Sequence, residues 1–169
     1  MTNGGHFCYN LIVMEIKNAD YIEKLNKNEV ISFVPRGDSM WPTLKDMGQS
    51  VIISAKKERL KEFDIALYVR GQNTFVLHRV LKVLEDGYAI CGDSQFDLEK
   101  VAEEQIFGVM IGFYQGKKYI DCKDPKYIKR VKKLYKHAKI RKLKVALYFF
   151  SKRVKNKLKR MFGSKKKDV

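Results

Sequence analysis

A chain of 169 residues with 45% hydrophobic residues holds enough apolar material for one packed domain and an appendage, which argues against a disordered chain. Its net charge of +16 suits a nucleic-acid or membrane-surface protein, but the charge is unevenly placed. Residues 117–169 carry 22 Lys and Arg against 3 Asp and Glu, whereas residues 1–116 carry 13 against 16, so the body is nearly neutral and bulk basicity does not describe it.

Residues 1–29 read as an N-terminal cap segment, with Tyr21, Ile22 and Leu25 at helical spacing in a stretch near 18–28. The apolar run Leu11-Ile12-Val13-Met14 ends at Glu15, far short of the roughly 20 apolar residues of a membrane span. It is not expected to be a secretory leader either. From Val30 the texture turns to short β-type runs: 30–34, 49–53, 65–69, 75–84, 88–91 and 106–114. Glu85-Asp86-Gly87 between two of them is a hairpin signal. The expected architecture is mainly β, a β-rich domain over 30–121 followed by a basic amphipathic helical tail over 122–169. In that tail Ile128, Val131, Tyr135 and Ala138 form one stripe. Leu143, Leu147, Phe150, Val154, Leu158 and Met161 form a second, with a break expected near 140.

Cys8, Cys91 and Cys122 are odd in number and lack metal-ligand spacing, so they read as free thiols of a reducing compartment. No metal or other cofactor is expected.

Three islands carry the chemistry. In Arg36-Gly37-Asp38-Ser39-Met40-Trp41-Pro42-Thr43-Leu44, Gly37 lets the chain turn sharply and expose Ser39, and Pro42 fixes the exit. A serine hydroxyl needs a base to become a nucleophile. His78, in Leu77-His78-Arg79-Val80, titrates in the right range to accept and return a proton. Alternation puts it on one strand face with Val76 and Val80. His6 and His137 have no comparable setting. In Gly92-Asp93-Ser94-Gln95-Phe96-Asp97, Asp97 is the candidate carboxylate to orient the imidazole, with Asp93 as the alternative; both also suit a plain turn, the role favoured for Asp93.

Together, over roughly residues 30–115, these islands resemble the nucleophile, general-base and Gly-Asp boxes of the signal peptidase I superfamily, which includes the self-cleaving SOS-repressor peptidases. The resemblance implies a β-rich catalytic domain and a serine endopeptidase acting on an extended peptide or precursor protein. Ser39 would be the nucleophile and His78 the base. Histidine at this position is similar to the endoplasmic-reticulum, archaeal and sporulation-type branch, where most bacterial relatives have lysine. Gly37 offers no side-chain hydroxyl, so the oxyanion would rest on backbone N–H groups, chiefly that of Ser39. No transmembrane tether is expected. The basic tail over 125–162 suits the surface of an anionic membrane, with nucleic acid the less favoured partner, and the expected location is cytoplasmic or peripheral to the membrane. A self-cleaving regulator is the alternative, although residues 1–30 are too short for a helix-turn-helix domain. A binding module built on the tail alone is another.

Overall fold

The computed structural model describes residues 20–71 and 74–163; His6, Cys8 and the Leu11-Ile12-Val13-Met14 run lie outside the described residues. The chain divides into two compact units, Met1–Arg130 and Val131–Val169.

In the first unit a short helix, α1 (residues 20–26), precedes the sheet. Leu25 is buried, and the Tyr21 ring stacks on Phe33 at 5.7 Å. Eight strands follow: β1 (Ile31–Phe33), β2 (Val51–Ala55), β3 (Ile65–Arg70), β4 (Thr74–Leu84), β5 (Gly87–Cys91), β6 (Glu99–Ala102), β7 (Ile106–Gln115) and β8 (Lys118–Asp121). They form one sheet, wholly antiparallel, in the order β1-β2-β7-β3-β4-β5-β6. β8 pairs with β7 on the edge that β3 leaves open.

The sheet curls into a half-barrel. Register shifts between Ile52 and Ile53, Leu67 and Tyr68, and Val80 and Lys82 mark where it bends, since an extra residue in one strand sharpens the local twist. The last of these lies directly after His78 and Arg79. Inside the curl Leu60, Ala66, Tyr68, Val80, Tyr88, Ile90, Val101 and Ile106 form a buried cluster. Each large aliphatic side chain so buried contributes about 1.5–3 kcal/mol.

The six expected strands are all present. The apolar pattern does not predict β6 and β8: Glu99-Lys100-Val101-Ala102 and Lys118-Tyr119-Ile120-Asp121 are four residues each and half charged. The first is identified by its pairing with β5, from Gly87↔Ala102 to Ile90↔Glu99, and not by an apolar run.

The tail is helical. α2 (Pro125–Lys136) starts where the Asp124 carboxylate accepts the Lys126 N–H at 2.7 Å, with Pro125 in the first turn, where its missing N–H is harmless. The helix is interrupted at His137, and α3 (Ala138–Gly163) continues. Among the described residues no helix is long and apolar enough to cross a membrane. Cys91 and Cys122 are free thiols, and among the described residues no cluster of His, Cys, Asp and Glu could hold a metal ion.

Candidate active site

Ser39 sits in the turn after β1. Gly37 has φ +94°, a conformation that a side chain would strain, and its N–H donates to Asp46 Oδ1 at 2.8 Å. The Trp41 N–H reaches back to the Asp38 carbonyl at 3.0 Å, and the Leu44 N–H to that of Met40 at 2.9 Å. Ser39 is half-buried on this tightly wound segment. Among the described residues neither the Ser39 nor the Met40 N–H donates to a backbone carbonyl.

The third island holds the first in place. The Ser94 N–H donates to the Ser39 carbonyl at 2.9 Å, and Ser94 Oγ donates to the Asp38 carbonyl at 2.8 Å. Gly92 marks the point of closest approach. A Cβ there would lie 2.6 Å from the Ser39 carbonyl oxygen, 3.0 Å from Gln95 Oε1 and 3.1 Å from His78 Nε2. The serine backbone and the imidazole nitrogen thus border one small volume, and they cannot be farther apart than their two distances from that point together. No hydrogen bond joins Ser39 Oγ to His78 among the described residues.

His78 lies mid-strand in β4, buried, on the face it shares with Val80. In the β3–β4 register Ala66 pairs with His78 and Tyr68 with Val76, so Tyr68 is the diagonal neighbour of His78 on the same face. Tyr68 Oη lies 3.2 Å from His78 Nδ1. It donates its single proton to Glu99 Oε2 at 2.7 Å. Arg70 Nη2 donates to Tyr68 Oη at 3.2 Å, and Arg70 Nε to Glu99 Oε1 at 2.8 Å.

These bonds decide the tautomer. A phenol has one hydrogen and two lone pairs. With the hydrogen on Glu99, Tyr68 can only accept from the imidazole, which places the histidine proton on Nδ1. Nε2 then carries the lone pair, on the side bordered by Gly92 and Ser39. The arrangement requires an ionised Glu99. Hydrogen bonding to Arg70 lowers its pKa, a pull that outweighs the rise from burial. Burial, and then the Glu99 carboxylate, raise the Tyr68 pKa above the ordinary phenol range, so it stays protonated. Burial, and then the Arg70 guanidinium, depress His78 from 6.5 to about 4. The imidazole is therefore neutral at physiological pH, as a base must be.

The two candidate aspartates fall elsewhere. Asp93 is fully buried and bound by Arg79, Nε to Oδ1 at 2.8 Å and Nη2 to Oδ2 at 2.7 Å. Thr43 Oγ1 donates to the same carboxylate and accepts from Arg79 Nη2 at 3.2 Å. Arg79 also reaches the Phe63 carbonyl at 2.8 Å and Tyr127 Oη at 3.3 Å. Each partner adjoins a candidate catalytic segment: Thr43 in that of Ser39, Arg79 beside His78, and Asp93 beside Gly92. The triad is a buried clasp for the three islands, so Asp93 here makes a structural ion pair. Asp97 is exposed in a bend, and among the described residues no hydrogen bond links it to His78. The carboxylate that bears on the imidazole through an intervening side chain is Glu99.

Tyr68, Arg70, Glu99, Ser94 and the Thr43–Arg79 pair were not identified from sequence. Tyr68 left one usable signal, a tyrosine in an apolar strand that must find a partner for its hydroxyl. Arg79 left another, an arginine inside a strand otherwise suited to burial.

No family model matches the chain, and no curated protein matches it.

Proposed function

We propose that the protein is a serine endopeptidase of the signal peptidase I type, working with a Ser39–His78 dyad on an extended peptide or precursor protein, and that its curled sheet is the β-rich catalytic fold of that superfamily. The observation that carries this reading is the shared border at Gly92: the nucleophile's backbone on one side, and on the other the imidazole nitrogen that holds the lone pair.

In this mechanism Ser39 Oγ attacks the carbonyl carbon of the scissile peptide while His78 Nε2 takes its proton. The oxyanion lies against backbone N–H groups of the turn, that of Ser39 foremost. As the tetrahedral intermediate collapses, Nε2 returns the proton to the leaving amine, and an acyl-enzyme remains on Ser39. Water then enters, gives a proton to Nε2, and attacks the acyl carbon to release the second product and restore the serine. Whenever the imidazole is protonated, the positive charge sits beside Tyr68 Oη and the Glu99 carboxylate behind it. Glu99 thereby takes the electrostatic part that an aspartate takes in a Ser-His-Asp triad, at one remove.

The test is covalent labelling with a fluorophosphonate probe, alongside cleavage of a peptide library. The wild type should label and cleave. Ser39→Ala should do neither while keeping its fold, and His78→Gln should lose about a thousandfold or more in rate. Equal labelling of Ser39→Ala and wild type would overturn the proposal. Shortening of the purified chain in a Ser39-dependent way would make the protein its own substrate.

A further inference from the structure

We infer that α3 is a docking surface for an anionic lipid bilayer, on which it lies flat. This inference is independent of the peptidase reading.

An apolar stripe runs along the helix and faces solvent. Ile140, Leu143, Leu147, Phe150, Val154 and Leu158 recur at steps of three and four, so they occupy one side over 18 residues, about 27 Å at 1.5 Å per residue. Leu143, Leu147 and Phe150 are 60%, 58% and 67% exposed, so the middle of the stripe is open. The buried members of the helix, Arg141 and Val145, point to roughly the opposite side at 100° per residue. The stripe is therefore not the face that this chain buries.

The charge pattern selects the partner. α3 holds ten Lys and Arg and no acidic residue. Lys139 and Lys157 flank the stripe on one side, Lys144 and Lys155 on the other, by the same helical geometry. Long basic side chains in these positions can run their methylenes along the apolar strip and lift their ammonium groups to headgroup phosphates. A nucleic acid would engage the basic faces but would have no use for a solvent-facing row of Leu, Phe and Val. An apolar protein groove would take the row but not call for ten positive charges and no negative one. An anionic bilayer uses both features, since binding there scales with buried apolar area plus attraction to acidic lipid. α3 cannot span such a bilayer, so it rests in the interface.

The experiment is flotation of the full chain with vesicles of phosphatidylcholine and phosphatidylserine at 3:1, and with vesicles of phosphatidylcholine alone. Partitioning onto the acidic vesicles should exceed that onto neutral ones by tenfold or more. The double variant Leu147→Ser/Phe150→Ser removes apolar area without changing charge, and both positions are exposed, so its helical circular dichroism should match wild type. Its partitioning should fall tenfold or more, while its affinity for a 30-base-pair DNA duplex should equal that of wild type. Absence of binding to acidic vesicles overturns the inference. So does vesicle binding that survives the two serines, which would leave only a charge effect. Duplex binding tighter than vesicle binding at equal phosphate assigns the helix to nucleic acid and overturns it as well.

Discussion

Tyr68 Oη stands 3.2 Å from His78 Nδ1 and passes its own proton the other way, to Glu99. A phenol with its hydrogen directed outward is an acceptor toward the ring, so it selects the imidazole tautomer that bares Nε2. Tyr68→Phe removes that acceptor and leaves Nδ1–H buried without a partner, at a cost of about 1–3 kcal/mol. The expected outcome is a kcat lowered about tenfold to a hundredfold with KM little changed, because Tyr68 acts through the His78 ring. Nitrogen-15 spectra of the ring should show the Nδ1–H tautomer dominant in wild type and mixed with the other form in the variant. An unaltered tautomer ratio would remove Tyr68 from the mechanism.

Glu99 and Asp97 should separate sharply. Glu99→Gln keeps an oxygen for Tyr68 to donate to but cancels the charge that offsets Arg70, so the imidazolium formed during reaction loses support. A rate loss of about tenfold is expected, at 1.4 kcal/mol per decade. Asp97→Asn, at an exposed bend, should stay within about twofold of wild type. Steady-state rates of the two variants on one peptide decide the matter, and the reverse order would return the orienting role to Asp97.

The pH profile follows from His78. Its pKa is depressed to about 4, so the acid limb of kcat/KM should have its midpoint near 4 and not near 6.5. Glu99→Gln should move the limb lower still, since the nearby carboxylate is one of the influences raising that pKa. Stability carries the same sign. The unfolded chain takes up a proton on this histidine as pH falls below 6.5, and the folded chain does so only near 4. The stability held by the neutral buried ring is complete above 6.5 and is lost as pH drops from there toward 4. Urea midpoints at pH 7.5 and pH 5 should therefore differ more in wild type than in His78→Gln.

Arg79→Leu should unfold the domain readily. It strands the Asp93 carboxylate at a site with no solvent exposure, which costs about 3–5 kcal/mol. The double variant Arg79→Leu/Asp93→Leu removes both charges and should recover part of that loss, because a paired charge and no charge are both tolerable where a single one is not. Thermal melts of the two variants and wild type give the comparison. Equal melting points for the single and double variants would show that the Asp93 charge is not what suffers.

Much of this was legible in the residues. Six of the eight strands announce themselves by apolar runs between turn residues, and the break between the helices follows from the change of stripe in the tail. Ser39 and His78 stand out through the three islands taken together and their resemblance to the signal peptidase I boxes, since a Gly-Asp-Ser turn or a histidine among Val and Leu suits a structural role when taken alone. The Tyr68–His78 relationship was within reach, since pairing Arg70 with Thr74 across the intervening turn sets the two rings diagonally on one face. Glu99 was not. It arrives on β6, a four-residue strand with one fully buried side chain, and it meets Tyr68 only because β4 and β5 stand between them in a curled sheet. Curvature set by register shifts leaves little trace in a hydrophobic pattern, so the carboxylate that adjoins Tyr68 in space is not one of those nearest His78 and Gly92 in sequence.

The bare backbone at Gly92 has a consequence for how the site can change. The space between serine and imidazole is bordered by the Ser39 backbone, the His78 ring and the Gln95 side chain, all within 3.1 Å of where a Cβ at residue 92 would stand. A methyl group at residue 92 would act as a wedge, pushing the two reacting partners apart in a protein whose sheet is otherwise complete. If the proposed dyad operates, such a variant would be a folded, inert protein that still binds the peptide it no longer cuts.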